Sequence, residues 1–429
     1  MARVPSPFTV RDFRYFWTAR LASTVAQIAM VVVIGWQVYD TARLTMSLKA
    51  ASFQLGIVGL VQFVPLFALT LITGWMADRI DRRLIALATI ALEIFCALAL
   101  AWLSYTHTTT LTSLFVIAGL LGVARAFAAP AQSALAPNLV PREILPRAIA
   151  ASSIAWQAGA IGGPALGGYL YAIAPAVPYA VSAALFIIAL LGIFMIHPVG
   201  QSEMSATRNP WQQMVDGLHY VRRNRLVLGA ISLDLFAVLL GGATAMLPVF
   251  ARDILQAGPT GLGHLRAAPA VGATLTALWF SFHPLKRNVG VKMLVAVGVF
   301  GASTVIFGLS RYMPLSLLCL ALLGAADMLS VYVRQTLIQL YTPDEMRGRV
   351  GAVATLFVSA SNELGETESG FLAALIGPIA AVIAGGIGAV AVTLLWARLF
   401  PELRLARSFA TPDLNPESVT RVNTKEKPV

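Results

Sequence analysis

The chain has 429 residues, of which 58% are hydrophobic and only 12% are charged. Its mean hydropathy is +0.76, which excludes an ordinary soluble enzyme or binding module and predicts an all-α protein that crosses a membrane many times. The formal charge of +11 does not indicate a nucleic-acid partner, because the Lys and Arg residues are scattered over short loops and tails and form no basic stripe.

Neither the cysteines nor the N-terminus indicate a secreted or metal-binding protein. Cys96 and Cys319 both lie inside apolar runs, so we expect no disulfide, no metal site and no cofactor. The first segment carries Arg3, Arg11 and Arg14 and has no short apolar region ending in small residues. We therefore expect it to be retained in the cytoplasm.

Twelve apolar segments separated by loop signals are predicted as transmembrane helices. In chain order they span residues 13–39, 48–73, 84–105, 111–135, 148–173, 176–196, 226–250, 261–283, 290–310, 314–340, 349–373 and 376–398. The pairs five and six, and eleven and twelve, are joined by Ala-Pro or Gly-Pro turns.

The longest loop divides the chain into two bundles of six helices. We predict an N-terminal bundle over 1–197, a cytoplasmic linker over 198–225, a C-terminal bundle over 226–400 and a disordered cytoplasmic tail over 401–429. Helical spacing of apolar residues predicts a short interfacial helix in the linker, with its apolar face formed by Trp211, Met214, Val215, Leu218 and Val221.

An internal repeat supports this division. A shift of 202 positions superposes Pro141 on Pro343 and places further identities in register with the predicted loops: Glu143 on Glu345, Arg147 on Arg349, Gly163 on Gly365 and Gly168 on Gly370. The two bundles are therefore predicted to be copies of one six-helix unit.

Loop charge predicts the orientation. The loops after even-numbered helices contain most of the arginines, whereas those after odd-numbered helices contain only Arg43, Lys49, Arg252, Arg266 and Arg311. By the positive-inside rule both termini are cytoplasmic in a bacterial-type inner (plasma) membrane.

Ionisable and amide side chains inside the spans are candidates for function, because burying them in lipid is costly. They are Arg20 and Gln27 in helix one, Arg125 in helix four, Asp234 in helix seven, and Asp327 and Arg334 in helix ten. We expect them to bind substrate or couple protons in a mixed-charge cavity. The alternative for Arg20 and Arg334 is that they snorkel or form structural ion pairs.

A charged hinge links helices two and three. Its order is Gly74-x-x-Ala77-Asp78-Arg79-x-x-Arg82-Arg83. This order resembles the loop signature of the major facilitator superfamily of secondary transporters. The resemblance implies two six-helix bundles, substrate near the membrane midplane, and a conformational latch formed by Gly74, Asp78, Arg79, Arg82 and Arg83.

Helix five contains a glycine-rich motif, Gly159-x-x-x-Gly163-Pro164-x-x-Gly167-Gly168. Small residues at this spacing permit close helix packing, and the proline kinks the helix. The motif also resembles the antiporter signature of exporting members of the superfamily, which implies efflux. In helix four, Leu121 and Arg125 partly match a further signature, which implies a proton-coupling role for Arg125.

Helix eleven carries three carboxylates near mid-membrane depth, Glu363, Glu366 and Glu368. Glu363 and Glu366 share a face, so repulsion and burial suit them to proton exchange. A hydrogen-bonded packing seam is the alternative. This stretch and the segment from Thr342 to Val350 resemble the branch of the superfamily that includes the enterobactin exporter.

We therefore predict a secondary active transporter that exports a siderophore, a related metabolite or drugs by proton antiport with alternating access. The expected partners are protons, a small molecule and the lipid bilayer, with one chain functional as a monomer. The proton carrier is expected to be Asp327, Glu363 or Glu366. A proton-coupled importer, a membrane-embedded enzyme and a non-transporting sensor remain alternatives.

Overall fold

In the computed structural model, residues 6–77, 81–135, 139–197, 210–285, 287–406 and 408–409 are described, and the regular structure in them is helical. Six helices form the N-terminal half: α1 (Arg11–Ala42), α2 (Leu48–Ala77), α3 (Arg82–Tyr105), α4 (Leu111–Leu135), α5 (Leu145–Ile173) and α6 (Val177–Phe194). Each lies within a few residues of its predicted span.

The C-terminal half follows a linker helix. Its elements are α7 (Pro210–Arg223, the linker helix), α8 (Arg225–Leu240), α9 (Gly258–Phe282), α10 (Val289–Leu309), α11 (Met313–Leu340), α12 (Asp344–Ile376), α13 (Pro378–Leu399) and the short α14 (Pro401–Leu405). The helices α9 to α13 agree with the predicted spans to within five residues, whereas α8 ends ten residues before the predicted end of the span 226–250.

Helix α8 is broken before it reaches the next loop. It continues through a 3-10 turn at Ala243–Met246, a short helix at Leu247–Val249 and a π-helical turn at Phe250–Ile254, so that Arg225–Ile254 forms one candidate membrane span. The break falls at two glycines. A Cβ on Gly242 would lie only 2.4 Å from the carbonyl oxygen of Gly365, so α8 and α12 cross there at backbone contact.

Nine helical spans in the described part of the chain are long and apolar enough to cross a membrane. The remaining long helices, α5, α9 and α12, have 29, 25 and 33 residues. At 1.5 Å per residue each exceeds the roughly 30 Å of hydrocarbon, and glycines or carboxylates rather than shortness lower their hydropathy. The chain is an all-α polytopic membrane protein.

The halves meet along two helix pairs, α2 with α12 and α5 with α9. Glycines bring the backbones together at both seams. A Cβ on Gly370 of α12 would lie 2.3 Å from the Cα of Gly56 of α2, and one on Gly168 of α5 would lie 2.4 Å from the carbonyl oxygen of Pro259. Close packing of small residues replaces the hydrophobic effect as the force that joins helices in lipid.

Two large hydrophobic cores lie in the described part of the chain, beside a smaller cluster at the linker helix. One lies among α1, α3, α4, α5 and α6 and includes Val58 of α2. The other belongs to the C-terminal half but also takes in Trp36, Tyr39, Ala51 and Leu55 from the adjoining ends of α1 and α2. The halves therefore share one apolar core at the end of the molecule where α1 ends and α2 begins, called the distal end below.

The linker helix α7 lies against protein. Its Leu218 and Val221 pack with Val350 and Val353 of α12, and Tyr220 Oη donates a 2.6 Å hydrogen bond to the carbonyl of Tyr341. Of the predicted apolar face, Val215 is exposed. The linker contains a helix as predicted, and the buried face of that helix packs on the C-terminal half.

The prediction of disorder from residue 401 is wrong for the beginning of the tail. Residues Pro401–Leu405 form α14, with Leu403 fully buried. Glu402 accepts a 2.7 Å bond from Arg225 Nε, and the carbonyl of Ala406 accepts one of 3.1 Å from the amide of Gly290. These contacts offset the entropy cost of ordering this segment. Residues 410–429 lie outside the described residues.

Candidate functional site

A charged network crosses the centre of the molecule between the two halves. Arg125 of α4 donates from Nη1 to Gln62 Oε1 of α2 at 2.9 Å and pairs through Nη2 with Glu363 Oε1 of α12 at 2.9 Å. Arg125 is half-buried and Glu363 is buried. Because the ion pair joins α4 of one half to α12 of the other, any movement of the halves at this level has to break or stretch it.

A second pair continues the network along α12. Glu366 lies one turn after Glu363, and its Oε1 accepts a 3.2 Å bond from Arg266 Nη2 of α9. Arg266 also donates from Nη1 to the carbonyl of Thr244 at 3.0 Å, within the broken part of the α8 span. Each of these two glutamates therefore has its own arginine.

A cavity lies between the halves beside this network. Its polar groups are Gln62, Thr244, Arg266 and Glu366. The other lining residues are apolar or glycine and come from both halves: Val31, Val32, Gly35, Leu55, Val58, Ala245, Leu247, Pro248 and Leu262. An apolar wall with a few convergent polar groups is the usual character of a small-molecule site.

Within the N-terminal half, Gln27 and Glu93 form a buried polar contact. Gln27 Nε2 donates to Glu93 Oε1 at 2.5 Å. Glu93 of α3 is only 1% exposed, and its Oε2 has no hydrogen-bond partner among the described residues. Gln27 therefore lies inside the bundle, as does Arg20, which lines a small cavity with Phe16 and Ile90.

Within the C-terminal half, Asp234 of α8 and Arg334 of α11 form an ion pair. Both side chains are buried. Asp327, two turns before Arg334, is half-buried and lines a second, small cavity with Asp234 and Ser330. Asp327 makes no hydrogen bond or ion pair with any residue that the structure describes.

Charged side chains also join the halves at the distal end. Arg43, the residue that follows α1, has its Nε 3.3 Å from Asp253 Oδ2 in the π-helical turn. Arg252 Nη1 of the same turn lies 3.1 Å from Asp40 Oδ1 of α1. Tyr39 Oη donates to Asp253. The pairs are reciprocal, with an acid and an arginine from each half, and they cover the core that the halves share.

The glycines of the α5 motif contact two neighbouring helices, α1 and α9. Gly159, Gly163 and Gly167 face α1, where a Cβ on Gly159 would lie 2.6 Å from Thr24. Gly168 faces α9 of the other half, as described above. Pro164 lies inside α5, and its carbonyl oxygen would be 2.7 Å from a Cβ on Gly263. The motif therefore forms the packing surface for both the α1 and the α9 contacts.

Of the predicted latch, Asp78 and Arg79 lie outside the described residues. Gly74 is in the last turns of α2, and Arg82 is the first residue of α3. Arg83 donates from Nε to the carbonyl of Ile193 at 3.2 Å and also bonds the carbonyl of Phe194. It thereby satisfies carbonyls at the C-terminus of α6.

Several residues of these sites are not among the predicted candidates. Arg266 was counted with the loop charges, although it lies inside the predicted span 261–283. Asp40 and Asp253 each lie within three residues of an arginine near a helix end, a weak signal without knowledge of which ends meet. Gln62 of α2 and Glu93 of α3 lie among mostly apolar neighbours, and an amide or a carboxylate inside a span is a signal that could have included them.

Comparison with known proteins gives consistent results. Residues 3–427 match the family model described as transmembrane secretion effector. The enterobactin exporter EntS of Shigella dysenteriae serotype 1 (strain Sd197) is 25% identical over 394 residues, covering 91% of this chain and 92% of the relative. EntS of Escherichia coli O1:K1 / APEC is 26% identical over 398 residues, covering 92% and 93%.

Solved structures share the fold at low identity. The POT family transporter PepTSo has a TM-score of 0.71 at 12% identity, covering 92% of this chain and 99% of that one. A D-xylose-proton symporter has a TM-score of 0.69 at 15% identity, covering 92% and 98%. At such identities the likeness concerns the fold alone.

Proposed function

Since the chain belongs to the transmembrane secretion effector family of the major facilitator superfamily, and is a multi-pass secondary transporter rather than an enzyme, we propose that it exports a small molecule by proton antiport. The observation that carries this proposal is the placement of paired charges between the halves. Arg125 and Glu363 bridge them beside a cavity to which both halves contribute.

The described state corresponds to one end of an alternating-access cycle. The halves share a core and two ion pairs at the distal end. Loop arginines lie at the opposite end, so the positive-inside rule supports an extracellular distal end and cytoplasmic termini. In this state the cavity is shut from outside, and a substrate enters from the cytoplasm.

Export is favoured over import by two features of different kinds. The curated relatives are named exporters and match along almost the whole chain. The α5 motif, which resembles that of antiporters, forms close contacts with α1 and with α9 across the seam. A helix packed this tightly on both neighbours is suited to rock as a rigid unit.

Proton coupling is proposed from the carboxylates in the spans. Asp327, Glu363 and Glu366 are the candidates, and Arg125, Arg266 and Arg334 are the cations near them. A carboxylate that gains a proton releases its arginine, so protonation alters which helices are tied together. A bias of a few kcal/mol is enough to shift a two-state equilibrium.

The cavity supports a substrate with both apolar surface and polar groups. The relatives are named for enterobactin, so a siderophore or a related metabolite is the proposed substrate class. Gln62, Thr244, Arg266 and Glu366 are the groups that would contact it. Both halves of the cavity are in one chain, which supports a functional monomer.

The hinge between α2 and α3 is proposed as the latch that stabilises the opposite state. Asp78 and Arg79 would close the cytoplasmic side when the distal end opens, with Gly74, Arg82 and Arg83 fixing the ends of the flanking helices. The contacts of Arg83 with the end of α6 support this anchoring role.

The test uses everted membrane vesicles that contain the protein and an acid interior, with enterobactin as the first probe and a panel of cationic drugs as the second. Dissipation of the gradient on addition of one probe, absent from vesicles without the protein, is the expected result. Uptake of the probe into these everted vesicles that leaves the gradient unchanged contradicts antiport. Movement of the probe out of the vesicles, in the direction of proton flow, identifies an importer.

A further inference from the structure

Charge pairing distinguishes the three carboxylates that are candidates for proton binding. Glu363 is paired with Arg125 at 2.9 Å, and Glu366 with Arg266 at 3.2 Å. Asp327 has no such partner in the described part of the chain. We propose that Asp327 binds the transported proton, and that Arg334 moves from Asp234 to Asp327 when the proton leaves. This inference rests on the proposed antiport function and deepens it.

Charge balance is the first argument. Asp234, Asp327 and Arg334 lie together in the C-terminal bundle, and Arg334 is only 3% exposed. If both carboxylates are ionised, the three side chains carry one uncompensated negative charge in a medium where that is costly. With one proton on Asp327 the cluster is neutral, and Arg334 pairs with Asp234, which is the arrangement observed.

Helix geometry permits the exchange of partners. Asp327 and Arg334 are seven residues apart in α11, so they lie two turns apart on one face. Side chains in a helix lean toward its N-terminus, which directs Arg334 toward Asp327. Arg334 Nε is buried and has no hydrogen-bond partner among the described residues, so the guanidinium is not held by a full set of bonds.

Among the described residues on the helices packed around Asp327, no other carboxylate or histidine is free to accept this proton. The α10 wall of the cavity is Val297 and Phe300, and the lysine of that helix, Lys292, is exposed near the helix start. On α9, Arg266 is held by Glu366, and His264 bonds Tyr169 at the seam. On α12, Glu363 and Glu366 are each paired with an arginine. On α8, Asp234 is paired with Arg334 while Asp327 carries the proton.

Two other carboxyl groups inside the described membrane spans, Glu93 and Glu368, form no ion pair with an arginine but do not fit the role. Glu93 is 1% exposed, accepts a hydrogen bond from Gln27 and lines none of the cavities described above. Glu368 lines none of the cavities described above. Asp327, by contrast, is half-buried and faces a cavity, so a proton can leave it.

The exchange has a direct path to the distal ion pairs. In the proton-transfer step, the Asp327 carboxyl O–H bond breaks, the proton passes to water, and the carboxylate retains the electron pair. Arg334 then neutralises Asp327 and releases Asp234 of α8. The span Arg225–Ile254 that carries Asp234 also carries Arg252 and Asp253 of the distal pairs. Loss of the ion pair between Asp234 of α8 and Arg334 of α11 therefore frees the span whose far end forms the distal ion pairs.

The test measures the proton directly and needs no substrate. Full-length protein is reconstituted in lipid, and the infrared carbonyl band of protonated carboxylic acids is recorded at neutral pH for the parent, D327N, E363Q, E366Q and D216N. Asp216 of the linker helix forms an ion pair with Arg349 of α12, away from the cluster, and serves as a matched control. We expect D327N alone to lose a component of this band. An unchanged band in D327N overturns the proposal.

A second variant tests the exchange. In D234N, Arg334 has only Asp327 as a partner, so we expect the same component to disappear although Asp327 is intact. Its persistence in D234N contradicts the exchange. If D327N does not fold, D327E keeps a carboxyl group and should show the component at a shifted frequency; an unshifted band overturns the assignment. Replacing choline by Na⁺ at fixed pH should change nothing, and loss of the component with Na⁺ would make this a sodium site.

The two proposals fail separately. If D327N loses the band but the parent shows no proton-driven transport of enterobactin or the drugs, the proton site stands and the antiport function does not. If D327N in everted vesicles still couples transport to the gradient, the function stands and the assignment to Asp327 is overturned.

Discussion

Arg125 and Glu363 come from opposite halves of the protein and are joined by a 2.9 Å contact between Nη2 and Oε1. Arg125 is also held from its own half by Gln62. The arginine is thus fixed on the N-terminal side, and the glutamate belongs to the other half. In the proposed alternating-access cycle, rocking of the halves changes this contact, so its stability would enter the equilibrium between the two states.

The coupling between these residues is measurable by a double-mutant cycle. We expect R125Q and E363Q to be non-additive, with a coupling free energy of about 0.5–3 kcal/mol, because each single change leaves the other group without its partner. Thermal unfolding of the purified protein provides the values. Additive effects within error would show that the observed contact does not stabilise the folded state.

The distal ion pairs should control access from outside. The double variant D40N/D253N removes both acids, and each partly exposed pair stabilises by about 0.2–1 kcal/mol. We therefore expect the open distal state to rise about 2- to 30-fold. The measurement is labelling of V31C by a membrane-impermeant thiol reagent in intact cells, with Cys96 and Cys319 replaced by alanine.

The control for this labelling is D216N, whose ion pair lies away from the distal end. Val31 lines the cavity between the halves, so a reagent reaches it from outside only when the distal end opens. A labelling rate in D40N/D253N equal to that of the control would mean that the shared apolar core alone keeps this end closed.

The glycine seam between α2 and α12 should tolerate no side chain. In G370A the new Cβ would lie 2.3 Å from the Cα of Gly56, so the helices have to separate. We expect a loss of about 1–3 kcal/mol in stability, as for other overpacked sites. The matched control is G298A, where no atom lies within 4 Å of the added Cβ. Equal melting temperatures for the two variants would contradict this account.

The buried cluster of Asp234, Asp327 and Arg334 should also be non-additive. In D234N, Arg334 can turn to Asp327, so the cost of unpairing a buried charge is largely avoided. In D234N/D327N the arginine has neither acid. We expect the double variant to lose about 0.5–3 kcal/mol more than the sum of the single variants, measured by thermal unfolding. A double variant equal to the sum would show that Arg334 does not exchange partners.

Individual residues show what could be predicted of the site. Asp327 and Arg334 were correctly placed on one face of a helix, because that follows from spacing alone. The pairing of Arg334 with Asp234 was not predicted, since it depends on how α8 and α11 pack. Arg20 and Gln27 were expected to bind substrate or couple protons; the contact of Gln27 with Glu93 and the small cavity that Arg20 lines could not be predicted from spacing. The rotation of α1 decides this.

The sequence by itself determined the twelve spans, their order and the division into two halves. Each span must satisfy its backbone hydrogen bonds internally and present apolar side chains to lipid, and these requirements act on each segment separately. Only the tertiary structure decided which arginine meets which carboxylate and which end of the molecule is closed. Those contacts depend on the rotation and tilt of helices distant in the chain, which are set by glycine seams such as Gly56 with Gly370.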